Sequence, residues 1–194
     1  MKVLIVIDMQ VDFVSGSLGT PEAQAIVPNV VNKLKAHQHT DTVVLFTKDT
    51  HHENYLNTSE GMKLPVEHCI EGTSGWSIVK PIHDEFKNDG YITYSSETVV
   101  NGRILKETFG SYRLLETICD IMKQLEENDC SIDTIELCGV CTDICLISNC
   151  LMIKNAFPDI PIVVDASCCA GVTPEKHAAA LEVMKSCQID VVGE

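Results

Sequence analysis

Apolar residues along this chain fall into short runs that are rich in β-branched side chains. Runs of this kind are typical of parallel strands buried on both faces of a sheet. They predict strands at 3 to 7, 42 to 47, 132 to 137, 161 to 164 and 189 to 192. An Asn101-Gly102 turn predicts one more strand, at 103 to 107. The sequence therefore predicts six strands.

Helical periods separate the predicted strands. From Tyr112 to Glu126 the apolar positions share one helical face: Leu114, Leu115, Ile118, Met122 and Leu125. Further helices are predicted to begin at Pro28, near Thr142, and at Pro174 behind an N-cap at Thr173. Strands that alternate with helices favour right-handed crossovers. We expect one α/β domain over residues 1–194, with three α/β/α layers and a mainly parallel six-stranded sheet.

Charge and hydropathy exclude several classes of partner. The formal net charge is -14 and the basic residues are not clustered, so nucleic acid is not an expected partner. No apolar run reaches the roughly 18 residues of a membrane span, and the first residues do not form a secretory signal. A cytoplasmic protein without membrane contact is expected. Three histidines are predicted to be solvated surface groups: His37, His39 and His83.

The ten cysteines lie mostly inside apolar segments, as free thiols do in a reducing compartment. Cys138 and Cys141 form a CxxC pair, which is compatible with redox chemistry or with half of a zinc site. The pair begins at a strand end and no second CxxC exists, so both interpretations are weakly supported.

Polar residues cluster where the predicted strands end. Asp8 ends the first strand, Asp49 and His51 follow the second, Lys106 ends the strand after the Asn-Gly turn, and segment 139 to 145 follows the next. Ligands of parallel sheets collect at the carboxyl ends of the strands. We therefore expect these groups to meet at one edge of the sheet.

Cys145 is predicted to lie in the first turn of a helix. A free thiol has a pKa of about 8.5, which the helix dipole and Lys106 are expected to lower. Asp8 is a suitable proton acceptor, and backbone N–H groups of the same turn can hold an oxyanion. The alternatives are that Cys145 is one more buried thiol and that Lys106 is an exposed lysine at a strand edge.

Four ordered motifs resemble the nicotinamidase and isochorismatase-like cysteine hydrolase superfamily. They are IDMQVDF (7 to 13), KETFGS (106 to 111), GVCTDIC (139 to 145) and DASCCAGVTPEKHAAAL (165 to 181). The resemblance implies that Asp8 is the general base and acid, Lys106 the supporting cation and Cys145 the nucleophile. It also implies a cis peptide between Val140 and Cys141, with the N–H groups of Cys141 and Cys145 forming the oxyanion hole.

Two further segments, 49 to 54 (DTHHEN) and 67 to 75 (EHCIEGTSG), resemble the metal-binding motifs of nicotinamidases. The ligands implied are Asp49, His51 and His68, with Glu60 or His52 completing the set. Carboxylate and imidazole ligands suit one divalent ion of zinc, iron or manganese and do not single out one of them.

The resemblance implies a small-molecule amide substrate and, foremost, deamidation of nicotinamide through a thioester. The expected pocket residues are Phe13, Val140 and Phe109, and Tyr112 or Trp76 could also supply a stacking surface. The chain departs from the family pattern at Leu64-Pro65, where many nicotinamidases have a Trp-Pro pair, and the stretch is one residue longer. This departure leaves the substrate open.

Three other functions compete with this hypothesis. One is a metal-independent amidase that acts on an N-carbamoyl or ureido compound. A second is isochorismatase-like vinyl ether hydrolysis, in which the nucleophilic cysteine is typically absent, and a third is a binding module without catalysis. Cys145 disfavours the second, and the retained Asp8 and Lys106 disfavour the third. By analogy with the superfamily, a homo-oligomer is expected.

Overall fold

A computed structural model of the protein describes residues 1–87, 90–96 and 99–194. Its strands are β1 (Lys2–Ile7), β2 (Thr42–Asp49), β3 (Arg103–Lys106), β4 (Thr134–Val140), β5 (Ile162–Ala170) and β6 (Asp190–Val192). They form one sheet in the order β3-β2-β1-β4-β5-β6, and every neighbouring pair is parallel. The predicted six-stranded α/β sheet is confirmed.

Three strands run further toward their carboxyl ends than the apolar runs predict. β2 continues to Asp49, which pairs with Lys106 of β3. β4 and β5 continue until Val140 pairs with Ala170. An apolar run ends where a polar residue interrupts it, as at Lys48 of β2 or Asp165 of β5, whereas the backbone hydrogen bonds of the strand continue past that residue. The extra residues carry polar side chains to the carboxyl edge of the sheet.

Helices cover the two faces of the sheet. They are α1 (Val11–Val14), α2 (Pro21–Ala25), α3 (Val27–His37), α4 (Lys80–Phe86), α5 (Tyr112–Glu126), α6 (Ile147–Ala156) and α7 (Pro174–Ser186). α3 contacts α4, while α6 contacts both α5 and α7. Right-handed crossovers place these two groups on opposite faces, because the chain moves outward from β1 to β3 and then returns to β4.

Three helices, α1, α2 and α4, were not predicted from the sequence, and α3 begins one residue before Pro28. α1 and α4 are too short for helical periodicity to be visible. α2 does carry a capping signal that went unused: Thr20 Oγ1 accepts a hydrogen bond of 3.0 Å from the Ala23 N–H.

The strand order reverses between β1 and β4, which are neighbours at the centre of the sheet. This is the topological switch point at which open α/β sheets bind ligands. Asp8 follows β1 with a left-handed backbone (φ 47°). After β4 the chain forms a π-helical turn, Thr142–Leu146, before α6 begins. The helix predicted near Thr142 thus starts with a wider turn, and this turn contains Cys145.

The cysteines, the hydropathy of the helices and the burial of His37 can be compared with the sequence-based expectations. All ten cysteines are free thiols. In the described parts of the chain, no helix combines the length and apolar character needed to cross a membrane. The expectation that His37 is solvated is wrong: its side chain is 14% exposed, with Nε2 3.6 Å from Glu136 Oε2. His37 ends α3 above β4, so packing of the helix on the sheet buries the ring.

The close approach of β1 and β4 depends on Gly139. Gly139 pairs with Ile7, has φ 117°, and a Cβ atom there would lie 2.1 Å from the Ile7 carbonyl oxygen.

We expect Gly139→Ala to lower the free energy of unfolding by about 3 kcal/mol or more, measured by urea denaturation. Gly72→Ala is the matched control, because Gly72 also has a positive φ (81°) but nothing within 4 Å of the added Cβ. The control should cost about 1 to 2 kcal/mol. Equal losses would show that the strand contact does not matter.

Candidate active site

Lys106 is buried at the centre of the candidate site. Its Nζ lies 2.7 Å from Asp8 Oδ2 and 3.1 Å from Asp49 Oδ1, and its side chain is 1% exposed. The same Nζ lies 3.6 Å from Cys145 Sγ. The alternative of an exposed lysine at a strand edge is wrong, because the side chain is buried against Asp8 and Asp49. A buried cation needs partners, and two carboxylates supply them.

Asp8 is held by the neighbouring strand. Thr47 Oγ1 donates a hydrogen bond of 2.7 Å to Asp8 Oδ1, and the Asp8 N–H donates one of 3.2 Å to Thr47 Oγ1. Burial raises the pKa of Asp8; the charge of Lys106 opposes this effect, and that of Asp49 adds to it. A carboxyl group with a raised pKa can accept a proton and return it.

Cys145 is buried within the π-helical turn. Burial raises the pKa of its thiol well above the ordinary value, and the charge of Lys106 only partly offsets this effect. The expected lowering of the Cys145 pKa is therefore wrong for the protein without substrate, because desolvation outweighs the nearby cation.

Hydrogen bonds within the turn that carries Cys145, and others from neighbouring residues, hold the turn in place. The peptide between Val140 and Cys141 is cis, as the resemblance implies. The N–H groups of Ile144 and Leu146 donate to the Cys141 carbonyl oxygen at 3.0 and 3.1 Å.

Asn149 ties this turn to the loop after Lys106. Its Nδ2 donates to the carbonyl oxygens of Cys145 (2.8 Å) and Phe109 (3.1 Å), and its Oδ1 accepts from the Ser111 N–H (3.0 Å). Asn149 was not predicted to belong to the site, because a single Asn within a helical period gives no signal of its partners.

A second cluster adjoins Lys106 through Asp49. Asp49 Oδ2 lies 2.9 Å from His51 Nε2 and 3.6 Å from His68 Nε2. Glu60 Oε1 lies 3.9 Å from His51 Nε2 and 3.7 Å from His68 Nε2. Ligand distances of about 2.0–2.1 Å at tetrahedral angles put neighbouring ligand atoms about 3.4 Å apart. Asp49, His51 and His68 therefore have the spacing of a divalent metal site, and Glu60 lies near the two histidines.

The chemistry of the cluster also fits a metal ion. His68 Nδ1 lies 2.8 Å from the Val66 carbonyl oxygen, so its proton belongs on Nδ1 and Nε2 presents a lone pair. Within the described residues, the buried His51 Nε2 has no hydrogen bond of good geometry, although Asp49 Oδ2 is close. Burial and the charge of Asp49 raise the pKa of Glu60. A divalent cation between these atoms would use the lone pairs and neutralise the crowded carboxylates.

His52, the alternative ligand, points elsewhere. Its side chain is half exposed, and its ring nitrogens lie 3.6 Å from Glu71 Oε2 and 3.7 Å from Glu107 Oε1. The cluster of Asp49, His51 and His68 brings its ligand atoms within 4.8 Å of one another, and Glu60 supplies the further carboxylate.

Two polar residues of the first motif, IDMQVDF, support the cluster and were not predicted to do so. Gln10 Nε2 donates to the Asp49 carbonyl oxygen at 2.8 Å, and the Asp49 N–H donates to Gln10 Oε1 at 2.7 Å. Asp12 Oδ2 accepts from the N–H of Cys69, the residue after His68, at 2.8 Å. Their position directly after an apolar strand indicates that these polar side chains lie near the carboxyl edge of the sheet. The sequence does not show which loop they contact.

A cavity of 790 Å³ lies above Cys145 and the candidate metal site. The predicted pocket residues Phe13, Val140 and Phe109 line it, as do Leu64 and Cys141. The Phe13 ring centroid is 5.4 Å from that of His68.

The other two candidate aromatics do not line this cavity. Trp76 donates from Nε1 to Thr50 Oγ1 at 2.9 Å and packs under the Lys48 ammonium group. Tyr112 is 78% exposed at the start of α5. Of the four candidate aromatics, Phe13 and Phe109 are therefore the two that line the cavity.

Solved structures with the same fold include amide hydrolases. A pyrazinamidase/nicotinamidase from Streptococcus mutans is 27% identical, with a TM-score of 0.76 over 99% of this chain and 100% of that one. A pyrazinamidase of Pyrococcus horikoshii, in complex with zinc, is 26% identical, with a TM-score of 0.72 over 100% and 99%. An N-carbamoylsarcosine amidase from Thermoplasma acidophilum is 21% identical, with a TM-score of 0.68 over 98% and 95%, and shows likeness of fold alone.

A comparison with curated protein sequences gives no match. The family model described as the Isochorismatase domain matches residues 2–193, almost the whole chain. The strand order and the position of the cavity at the switch point are consistent with this match. The chain therefore belongs to the isochorismatase family.

Proposed function

We propose that this protein is a cysteine amidohydrolase that converts nicotinamide into nicotinate and ammonia. The observation that carries the proposal is the contact of Lys106 with Asp8 and Cys145 at the base of the cavity. This set contains a nucleophile, a proton acceptor and a cation within contact distance of one another. The likeness to the S. mutans and P. horikoshii enzymes supports amides as the substrate class.

The first step is attack of Cys145 Sγ on the amide carbon. Because the pKa of the thiol is raised by burial, its proton passes to Asp8 as the carbon–sulfur bond forms. Lys106 keeps its proton throughout: burial opposes the charged form, but Asp8, Cys145 and Asp49 outweigh it and raise its pKa well above the ordinary value. Lys106 thus stabilises the negative charge that develops on sulfur.

The oxyanion of the tetrahedral intermediate is assigned to the backbone N–H groups of Cys141 and Cys145. Asp8 then returns the proton to the leaving nitrogen, and ammonia departs from a Cys145 thioester. A water molecule, deprotonated by Asp8, attacks the thioester carbon. Nicotinate leaves and the Cys145 thiol is restored, so the sum is amide plus water to acid plus ammonia.

Four residues would hold a divalent ion of zinc, iron or manganese: Asp49, His51, His68 and Glu60. When bound, the ion supplies a Lewis-acid site that orients the ring nitrogen of the substrate. The donor set does not distinguish these metals. Phe13, on the cavity wall beside His68, provides an aromatic face for the ring.

A second candidate substrate class is an N-carbamoyl or ureido compound. Leu64 lines the cavity at the place where the sequence departs from the Trp-Pro pattern, so one aromatic wall is missing. The cavity of 790 Å³ also has room for a substrate larger than one pyridine ring. The same Cys145 chemistry would serve either substrate. A homo-oligomer and a cytoplasmic location remain predictions.

The nucleophile can be tested by substitution. Cys145→Ala should reduce ammonia release from nicotinamide at least 10⁴-fold, because no covalent intermediate can form. Asp8→Asn should cost about 10²-fold or more, because proton transfer is lost. Cys130→Ser is the matched control, since Cys130 is an exposed thiol, and it should keep wild-type activity. Turnover by Cys145→Ala within tenfold of wild type would refute the assignment.

The candidate metal site can be tested by measuring the amount of metal bound per chain. His51→Ala and His68→Ala should each lower the bound zinc, iron or manganese at least tenfold, because each removes a ligand. His52→Ala should retain the metal, since that side chain faces Glu71 and Glu107. Loss of metal in His52→Ala with retention in His68→Ala would overturn the ligand assignment.

The two substrate classes can be separated by chelation. For nicotinamide, we expect removal of the metal to abolish turnover and re-addition to restore it, because the ring nitrogen loses its anchor. For an N-carbamoyl amino acid, the metal-independent alternative predicts equal turnover before and after chelation. A metal-loaded, folded enzyme that hydrolyses the carbamoyl compound but not nicotinamide would replace the first substrate by the second.

A further inference from the structure

A second tether holds the Cys145 turn on the side away from Lys106. Thr142, the first residue of the turn, is fully buried, and its Oγ1 lies 2.8 Å from Nδ1 of His177 in α7. Buried hydroxyl groups need a hydrogen-bond partner. Within the described residues, His177 is the partner found for the Thr142 side chain.

The next residue of the turn is held by the same segment. Asp143 Oδ1 accepts a hydrogen bond of 2.9 Å from the Val172 N–H. A Cβ atom on Gly171 would lie 2.8 Å from Asp143 Oδ1 and 2.9 Å from the His177 backbone nitrogen. Gly171 is therefore packed directly against Asp143 of the turn, with no room for a side chain at this position.

We propose that His177 is a positioning residue that acts through Thr142 to hold the Cys145 turn in its reactive geometry. His177 does not line the described cavity, so it does not act on the substrate directly. Thr142 lies between the two residues assigned as oxyanion donors, Cys141 and Cys145. If the ring is removed, a buried hydroxyl loses its partner and the turn shifts to find another. The kinetic part of this inference rests on the proposed amidohydrolase function.

Misplaced oxyanion donors affect catalysis more than binding. The donors meet the oxygen only when negative charge develops on it, so their displacement lowers kcat and leaves KM nearly unchanged. A substitution that merely loosens the fold would instead lower the yield of active enzyme or change both constants. A lower kcat with an unchanged KM therefore distinguishes a positioning role from general destabilisation of the fold.

The tether itself can be tested without a substrate, by hydrogen–deuterium exchange of a peptide that covers residues 141 to 146. In this turn the Ile144 and Leu146 N–H groups are hydrogen-bonded to Cys141. His177→Leu and Thr142→Val should each accelerate exchange at least tenfold. His177→Asn should stay within threefold of wild type, because its amide can replace Nδ1. His83→Leu is the control, since His83 lies on α4, and it should leave exchange unchanged.

The double variant Thr142→Val/His177→Leu provides the decisive comparison. If the two groups act through one hydrogen bond, the double variant exchanges no faster than the faster single variant. Multiplied effects, or exchange of all variants within twofold of wild type, would overturn the proposal.

Kinetics with nicotinamide complete the test. His177→Leu should lower kcat at least tenfold with KM within threefold of wild type, and His177→Asn should recover most of kcat. A raised KM with unchanged kcat would contradict the positioning role. If the wild-type protein does not hydrolyse nicotinamide, the proposed function fails, and the exchange experiment still decides whether His177 holds the turn.

Discussion

The rest of the site depends on one buried ammonium group. Lys106 Nζ contacts two carboxylates and a thiol, and it is nearly inaccessible to water. Neither the ammonium group nor the carboxylates of Asp8 and Asp49 could be buried alone at reasonable cost, because an isolated charge in an apolar interior is strongly disfavoured. Each of these charged groups is therefore a condition for the burial of the others. The sheet makes this possible by ending β1 and β3 on either side of β2, so that their last polar residues face each other.

Asp49 joins the reactive half of the site to the metal half. Its Oδ1 faces Lys106, while its Oδ2 faces His51 and His68. Burial opposes its ionisation, but its contacts with the two histidines and the charge of Lys106 hold its pKa well below the ordinary value. In the proposed mechanism Asp49 therefore stays charged, while Asp8, whose pKa is raised, exchanges protons. Movement of the proton from Cys145 to Asp8 leaves the net charge of the cluster unchanged, which favours the step in a buried site.

Much of the fold was predictable because buried parallel strands are continuous apolar runs, and the polar residues that interrupt them mark the carboxyl edge. Asp8 and Lys106 were predicted to be site residues in this way, and Cys145 was predicted from the turn after the next strand and from the family resemblance. The structure brings Asp8 and Cys145 into contact with Lys106. The supporting contacts were not: Thr47 and Asp8 are 39 positions apart, and Thr142 and His177 are 35 apart. Such pairs are set by strand register and helix packing, which a single sequence does not display. The direction of the Cys145 pKa was also missed, since burial depends on the finished structure.

The central claim is that Cys145 forms a covalent thioester during amide hydrolysis. The most direct test is to mix the metal-loaded enzyme with excess nicotinamide, quench in acid during turnover, and map modified peptides by mass spectrometry. We predict a nicotinoyl group on the peptide that carries Cys145, absent from Cys145→Ala, and lost on incubation with hydroxylamine. Ammonia release at full rate with Cys145 unmodified, or with the acyl group on another cysteine, would contradict the account.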